Sequence, residues 1–193
     1  MGRPKALLVL DGKTMLERQV RLLRSVMGKV FVAGWPEGIP TSILPGFKVP
    51  ILPDEPPGSG PLSGINSALK RSRTEYNLFV SCDMPFVRAE FLEYLCRAAL
   101  RNRADVTVPK SHDRRLNPVC AVYRRCALPA IRASLEARDY KISRFFSRVR
   151  CAIIPWRQIA RAGFPPAIFD NMNTPEDYER AKKSLNQEIV NEK

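Results

Sequence analysis

Asp83 stands just past an apolar run, Tyr76-Asn77-Leu78-Phe79-Val80, in the segment Ser81-Cys82-Asp83-Met84-Pro85-Phe86. Such a run reads as a strand buried on both faces, the kind found in parallel sheets. Ligands of those sheets collect beyond the carboxyl ends of the strands. Asp83 is therefore where a metal ligand would stand, with Pro85 stopping the strand. A single carboxylate holds Mg²⁺ when substrate phosphates and waters fill the other positions. The same residues also read as an Asp-x-Pro turn that only ends a strand.

Four other segments carry polar chemistry. Met1-Gly2-Arg3-Pro4-Lys5 sets a lysine beside a glycine-containing loop. Its point charge can follow the oxygens of a moving phosphoryl group. Asp54 through Ile65 reads Asp-Glu-Pro-Pro-Gly-Ser-Gly-Pro-Leu-Ser-Gly-Ile and opens a helix. Glycines let a backbone approach a ligand closely, and Pro61 suits a first helical turn. Free N–H groups there can face an anion or the polar edge of a base, and Asp54 can accept from a base amine. No Gly-Lys-Ser/Thr follows, so this is not a Walker loop. Asn171 and Asn173 share a face if their segment is extended, or belong to a plain helix cap. His112 through Pro118 forms a basic, hairpin-like loop able to grip an anionic second substrate.

The elements that must position these residues alternate. Lys5–Leu10 is a short apolar run closed by Asp11-Gly12. Thr14 and Glu17 form a capping box for a helix with an apolar stripe at Leu16, Val20, Leu23 and Met27. Strands follow at 30–34 and 49–53, a helix around Ile65, the strand ending before Asp83, and a helix from about Arg88 to Arg101. Strands at 104–109, 118–123 and 151–154 are joined through helices at Leu128–Leu135 and around Phe145. A last helix starts at Pro175 behind a capping Thr174. The pattern predicts an α/β fold with a mostly parallel sheet, one domain over 1–193, and a frayed tail from about 186.

Bulk properties set limits. The 193 residues suffice for one domain with a sizeable core. No apolar run approaches a membrane span and no leader opens the chain, so the expectation is a cytoplasmic protein. The five cysteines match no zinc spacing, and their odd number argues against a full disulfide framework. His112 is the only histidine, which excludes a site built on several. The net charge of +13 attracts anions of any kind, but the basic residues are dispersed and no nucleic-acid-binding motif occurs.

Taken in order, five segments resemble the molybdenum cofactor guanylyltransferases, the MobA-like nucleotidyltransferases. They are Arg3-Pro4-Lys5-Ala6-Leu7-Leu8; Pro53-Asp54 with Pro57 through Ile65; Cys82-Asp83-Met84-Pro85-Phe86; Asn117 through Tyr123; and Asn171-Met172-Asn173-Thr174-Pro175-Glu176-Asp177. The resemblance implies a three-layer, Rossmann-like fold and Mg²⁺-dependent transfer of GMP from GTP to molybdopterin, with pyrophosphate released. It implies that Lys5 and Asp83 are catalytic, that Asp83 binds Mg²⁺, and that Gly2, Arg3 and Lys5 lie at the nucleotide phosphates. It implies that Asp54 lies at guanine with Gly60, Pro61 and Leu62 shaping the pocket, Asn171 and Asn173 near the reacting phosphates, and Arg114 and Arg115 at a molybdopterin edge. GTP and molybdopterin are the implied small-molecule partners, with molybdoenzymes or other cofactor-biosynthesis proteins beside them, and neither nucleic acid nor membrane.

One departure shapes the expectation. Family members begin with an apolar strand and a Leu-Ala-Gly-Gly-type loop before an Arg-Met-Gly segment, whereas this chain starts at what matches that methionine. The first strand and most of the glycine-rich loop are expected to be missing, through a late-assigned start or in a homologue that binds without turnover. A relative using CTP or another nucleotide is the further alternative.

Overall fold

The computed structural model describes residues 4–35 and 49–191, with side chains through residue 185. Gly2 and Arg3 lie outside the described residues.

The chain enters through a single 3-10 turn, Lys5–Leu7, and then a hairpin of β1 (Val9–Leu10) and β2 (Lys13–Thr14). Asp11 and Gly12, both at positive φ, make the tight turn that this pairing needs. The capping box is present: Thr14 Oγ1 accepts from Glu17 N at 3.2 Å, and Glu17 Oε2 accepts from Thr14 N at 2.8 Å. It starts α1 (Met15–Val26). β3 (Val32–Ala33) and β4 (Ile51–Leu52) pair in parallel. Next come α2 (Pro61–Arg71), β5 (Tyr76–Val80), α3 (Ala89–Asn102), β6 (Val106–Pro109) and β7 (Cys120–Arg124). The chain closes with α4 (Leu128–Glu136), α5 (Ile142–Phe145), β8 (Cys151–Ile154), α6 (Trp156–Arg161) and α7 (Pro175–Asn191).

The order in the largest sheet is β5-β7-β6-β8. β7 runs antiparallel to both its neighbours, while β6 and β8 are parallel. The sheet is thus mixed, and among the described residues parallel pairing is confined to β3/β4 and β6/β8. The cause is the loop after β6, which turns the chain straight back into β7 without a crossover helix.

Alternation along the strands builds three layers. Cys120 and Val122 face a core with Phe91, Leu92 and Leu95 of α3, against which Leu22, Leu23 and Val26 of α1 also pack. Ala121 and Tyr123 face the opposite core with Leu62, Ile65 and Leu69 of α2, Ile131 of α4 and Phe145. Val106 and Val108 join that second core. Thr107 is fully buried and donates to Asn102 at the end of α3.

β5 differs from the sequence expectation. Each of its residues is only half-buried, whereas β6 is buried throughout. One edge of β5 pairs with β7; among the described residues no strand pairs with the other edge. The β3/β4 pair is held near it by helices. Leu16 and Val20 of α1 pack on Val32 and Val49, and α2 packs on β3 and β4. No helix among the described residues is long and apolar enough to cross a membrane.

Candidate active site

The carboxyl end of β5 carries the chain into Ser81, Cys82 and Asp83. Two contacts fix the Asp83 backbone and side chain. Its carbonyl accepts from Met172 N at 2.9 Å, and its Oδ1 accepts from Ser81 Oγ at 2.5 Å. Ser81, two residues upstream, is a positioning group that the motif contained without marking it. Gln19 of α1, itself buried, donates to Met84 O at 2.6 Å and ties the following turn to the helix layer.

Lys5 arrives from the other end of the chain. Its Nζ lies 3.0 Å from Asp83 Oδ2 and 2.6 Å from Asn173 Oδ1. The Asp83 side chain is 17% exposed and that of Lys5 35%, so the pair is sheltered yet open to solvent. Asn173 is placed by the start of α7: Asp177 Oδ2 accepts from Asn173 N at 3.0 Å and from Thr174 N at 2.9 Å, and Thr174 Oγ1 accepts in turn from Asp177 N. Met172 is buried between two exposed asparagines. Lys5, Asp83 and Asn173 are thus brought together, while Asn171 is exposed and outside that hydrogen-bonded group.

Cys82 is next to the carboxylate but unsuited to nucleophilic work. Burial, with the Asp83 charge adding, pushes its thiol up to about 11, and the thiolate is the reactive form.

A second acidic group follows β4. Gly34 N donates to Leu52 O at 3.1 Å, which sets the end of β3 beside the strand leading to Asp54. A Cβ added at Gly34 would lie 3.2 Å from the Asp54 carboxylate oxygens, and one at Gly64 would lie 3.2 Å from Oδ1. The two glycines make a close cradle, and Gly34 also needs its positive φ of +73°. Helix α2 secures the turn beyond Asp54: Ser67 Oγ accepts from Glu55 N at 3.0 Å, and Asn66 Nδ2 donates to Glu55 O at 2.9 Å. Burial pushes the Asp54 carboxyl above its ordinary range, with the nearby Ser63 hydroxyl opposing. Neither Asp54 Oδ1 nor Ser63 Oγ has a hydrogen bond of good geometry. Buried acceptors without donors cost free energy, and Asp54 Oδ1 is one of them.

Gly60, at φ +67°, caps α2, and Pro61 is its first residue. Leu62 differs from its neighbours in this loop. Its side chain is fully buried among Ile65, Leu69 and the second core. What Leu62 can offer a ligand is its backbone N–H. The cradle glycines Gly34 and Gly64 were the residues least visible in sequence, since their role depends on the approach of two distant segments.

The loop after β6 is tightly built. Ser111 Oγ donates to Asp113 Oδ1, Arg115 Nε pairs with Asp113 at 3.3 Å, and Lys110 bridges to Leu116. Arg114 stands at positive φ and, like Arg115, is exposed. Strand register brings this loop to the Asp83 end of the sheet, because Cys120 pairs with Val80 and Asn117 turns directly into Cys120.

Comparison with known proteins agrees with this architecture. Residues 1–152 match the model of the MobA-like NTP transferase domain. A probable molybdenum cofactor guanylyltransferase from Pelotomaculum thermopropionicum is 34% identical over 182 residues, covering 94% of this chain and 85% of that one. The crystal structure of molybdopterin-guanine dinucleotide biosynthesis protein A from Archaeoglobus fulgidus superposes with a TM-score of 0.82 at 25% identity, covering 96% and 92% of the two chains. The 2-C-methyl-D-erythritol 4-phosphate cytidylyltransferase of Thermus thermophilus shares the fold, with a TM-score of 0.67 at 17% identity over 95% of this chain and 94% of that one. An acidic residue past the end of β5, met by a lysine and an asparagine from opposite ends of a three-layer α/β fold, thus sits in a chain that belongs to the MobA-like NTP transferase family.

Proposed function

We propose that the protein transfers GMP from GTP to the terminal phosphate of molybdopterin and releases pyrophosphate. The observation that carries this reading is the meeting of Lys5, Asp83 and Asn173 beyond β5. Names of similar proteins support the same substrates.

The donor set suits Mg²⁺. Among the described residues no three His, Cys, Asp or Glu side chains gather into a metal nest. Asp83 offers one carboxylate, with the Asn173 amide oxygen close to the same lysine. Mg²⁺ is held through one or two carboxylates, its remaining positions going to waters and substrate phosphates. When bound it would neutralise charge on the phosphate oxygens.

The chain's own groups do the rest. An oxygen of the acceptor phosphate attacks the α-phosphorus of GTP. The bond from that phosphorus to the bridging oxygen breaks, and its electron pair leaves with pyrophosphate. Such a reaction asks for alignment and charge stabilisation rather than a protein nucleophile. Lys5, drawn from Asp83 to the incoming phosphates, offsets charge on the departing group. Losing one such contact costs about 3 kcal/mol of transition-state stabilisation.

Asp54 supplies the base preference. Guanine presents a ring N–H beside its exocyclic amine, two adjacent donors for one carboxylate. Adenine and cytosine set an acceptor nitrogen beside the amine, and that nitrogen would face a carboxylate oxygen. The Asp54 carboxylate, set close against Gly34 and Gly64, favours guanine on this ground.

The test is incubation with Mg²⁺, molybdopterin and each of the four nucleoside triphosphates, with products read by mass spectrometry. Guanylated pterin from GTP is expected. A cytidylylated product would overturn the base assignment, and no nucleotidylated product would overturn the reaction.

A further inference from the structure

The Asp83 end of the sheet continues into a surface that the transfer chemistry leaves unused. Met172 N donates to the Asp83 carbonyl. Three residues before Met172, Phe169 is buried and meets the Trp156 ring edge-on at 6.3 Å. Trp156, half-buried, meets the exposed His112 ring at 6.0 Å, again edge-on. Backbone bonds fix both ring-bearing segments to the sheet: Lys110 N donates to Ile154 O at 2.9 Å, and Pro109 pairs with Ile154. A half-buried indole packed on the core, with an exposed imidazole meeting it at a steep angle, offers ring surface to a flat heterocycle. Arg114 and Arg115 stand on the same hairpin as His112, and the turn of Ser111 through Arg115 is closed by its own hydrogen bonds.

We propose that Trp156 and His112 form the platform on which the heterocycle of the acceptor rests, with Arg114 and Arg115 holding its anionic groups. The inference rests on the transferase reading above. The phosphate of the acceptor lies at Asp83 and its ring reaches across the carboxyl ends of β5, β6 and β8, which share one end of the sheet. Neither aromatic residue touches the reacting atoms; they are positioning residues that select a flat, phosphate-bearing acceptor over a sugar phosphate of similar charge.

The probe is 6-hydroxymethylpterin monophosphate, titrated by calorimetry into the full chain. The wild-type protein should bind it, and His112→Ala and Trp156→Leu should each weaken it at least fivefold. Binding of Mg²⁺-GTP should stay within twofold, which also shows that the variants are folded. With molybdopterin as acceptor, the loss should fall on its KM rather than on kcat. Ribose 5-phosphate should bind wild type and variants alike. Failure of the wild type to bind the pterin phosphate, or equal binding by both variants, would overturn the platform. Loss of pterin binding in the variants from a protein that transfers no GMP would keep the platform and refute the reaction.

Discussion

Lys5 Nζ donates to Asp83 Oδ2 at 3.0 Å across 78 residues of sequence. The carboxylate is thus paired with an internal cation. In the proposed transfer the lysine exchanges this partner for phosphate oxygens. On that reading metal and lysine both act at Asp83, one neutralising phosphate charge from the sheet side and the other from the entering chain.

Asp83→Asn should lower turnover by about 10²–10³-fold, the usual effect of losing one group that stabilises developing charge. The fold should persist, because Ser81 and Met172 still bond the same turn. Rate measurements with saturating GTP, alongside thermal melts, check both statements.

Lys5→Met should reduce kcat more than it changes the KM for GTP. Lys5→Arg should restore little, since a planar fork does not reproduce a compact ammonium between a carboxylate and an amide oxygen. Steady-state kinetics of the two variants distinguish these outcomes.

Asp54→Asn should weaken GTP about 10–100-fold, the range for hydrogen bonds to a charged group, and narrow its advantage over the other nucleotides. GTP affinity of the wild type should also fall on acidification, starting at a higher pH than for an ordinary carboxylate, because burial raises this one. The same shift makes the native state hold the proton more readily than the unfolded chain does. The stability tied to protonated Asp54 is present below its unfolded pKa and is lost as pH rises through the folded one. Asp54→Asn should remove that loss in melts recorded from acid to neutral pH.

Much of the scaffold was legible. The Thr14–Glu17 capping box, the stripe of α1 and the Pro175 helix start rest on local chemistry, and each lies where that chemistry predicts. The mixed sheet was not read, because strand direction depends on what the loop after β6 does in space. Helix α6 was missed for its length: Trp156–Arg161 is six residues, too short for a 3.6-residue period to show. The site divides similarly. Asp83 and Asp54 announced themselves by following strands. Gly34, Gly64 and Ser81 act only through approach to those carboxylates, and Asn173, unlike Asn171, meets Lys5. The exposure of β5 was equally hidden, since an apolar run reports composition and not whether its edge finds a partner.

Thr14→Ala should cost about 1 kcal/mol by removing an N-cap. The backbone and side-chain bonds from Thr14 hold the Glu17 carboxyl below its ordinary value. That stability is present above the unfolded pKa and lost as pH falls through the folded one. The gap between wild type and variant in urea unfolding should therefore shrink in acid.

The most direct measurement replaces Mg²⁺ by Mn²⁺ and records electron–nuclear double resonance with GTP bound. Phosphorus couplings from the nucleotide should appear in the wild type and be lost in Asp83→Asn. Identical couplings in both proteins would show that the cation and the phosphates meet elsewhere, and the account of this site would fail.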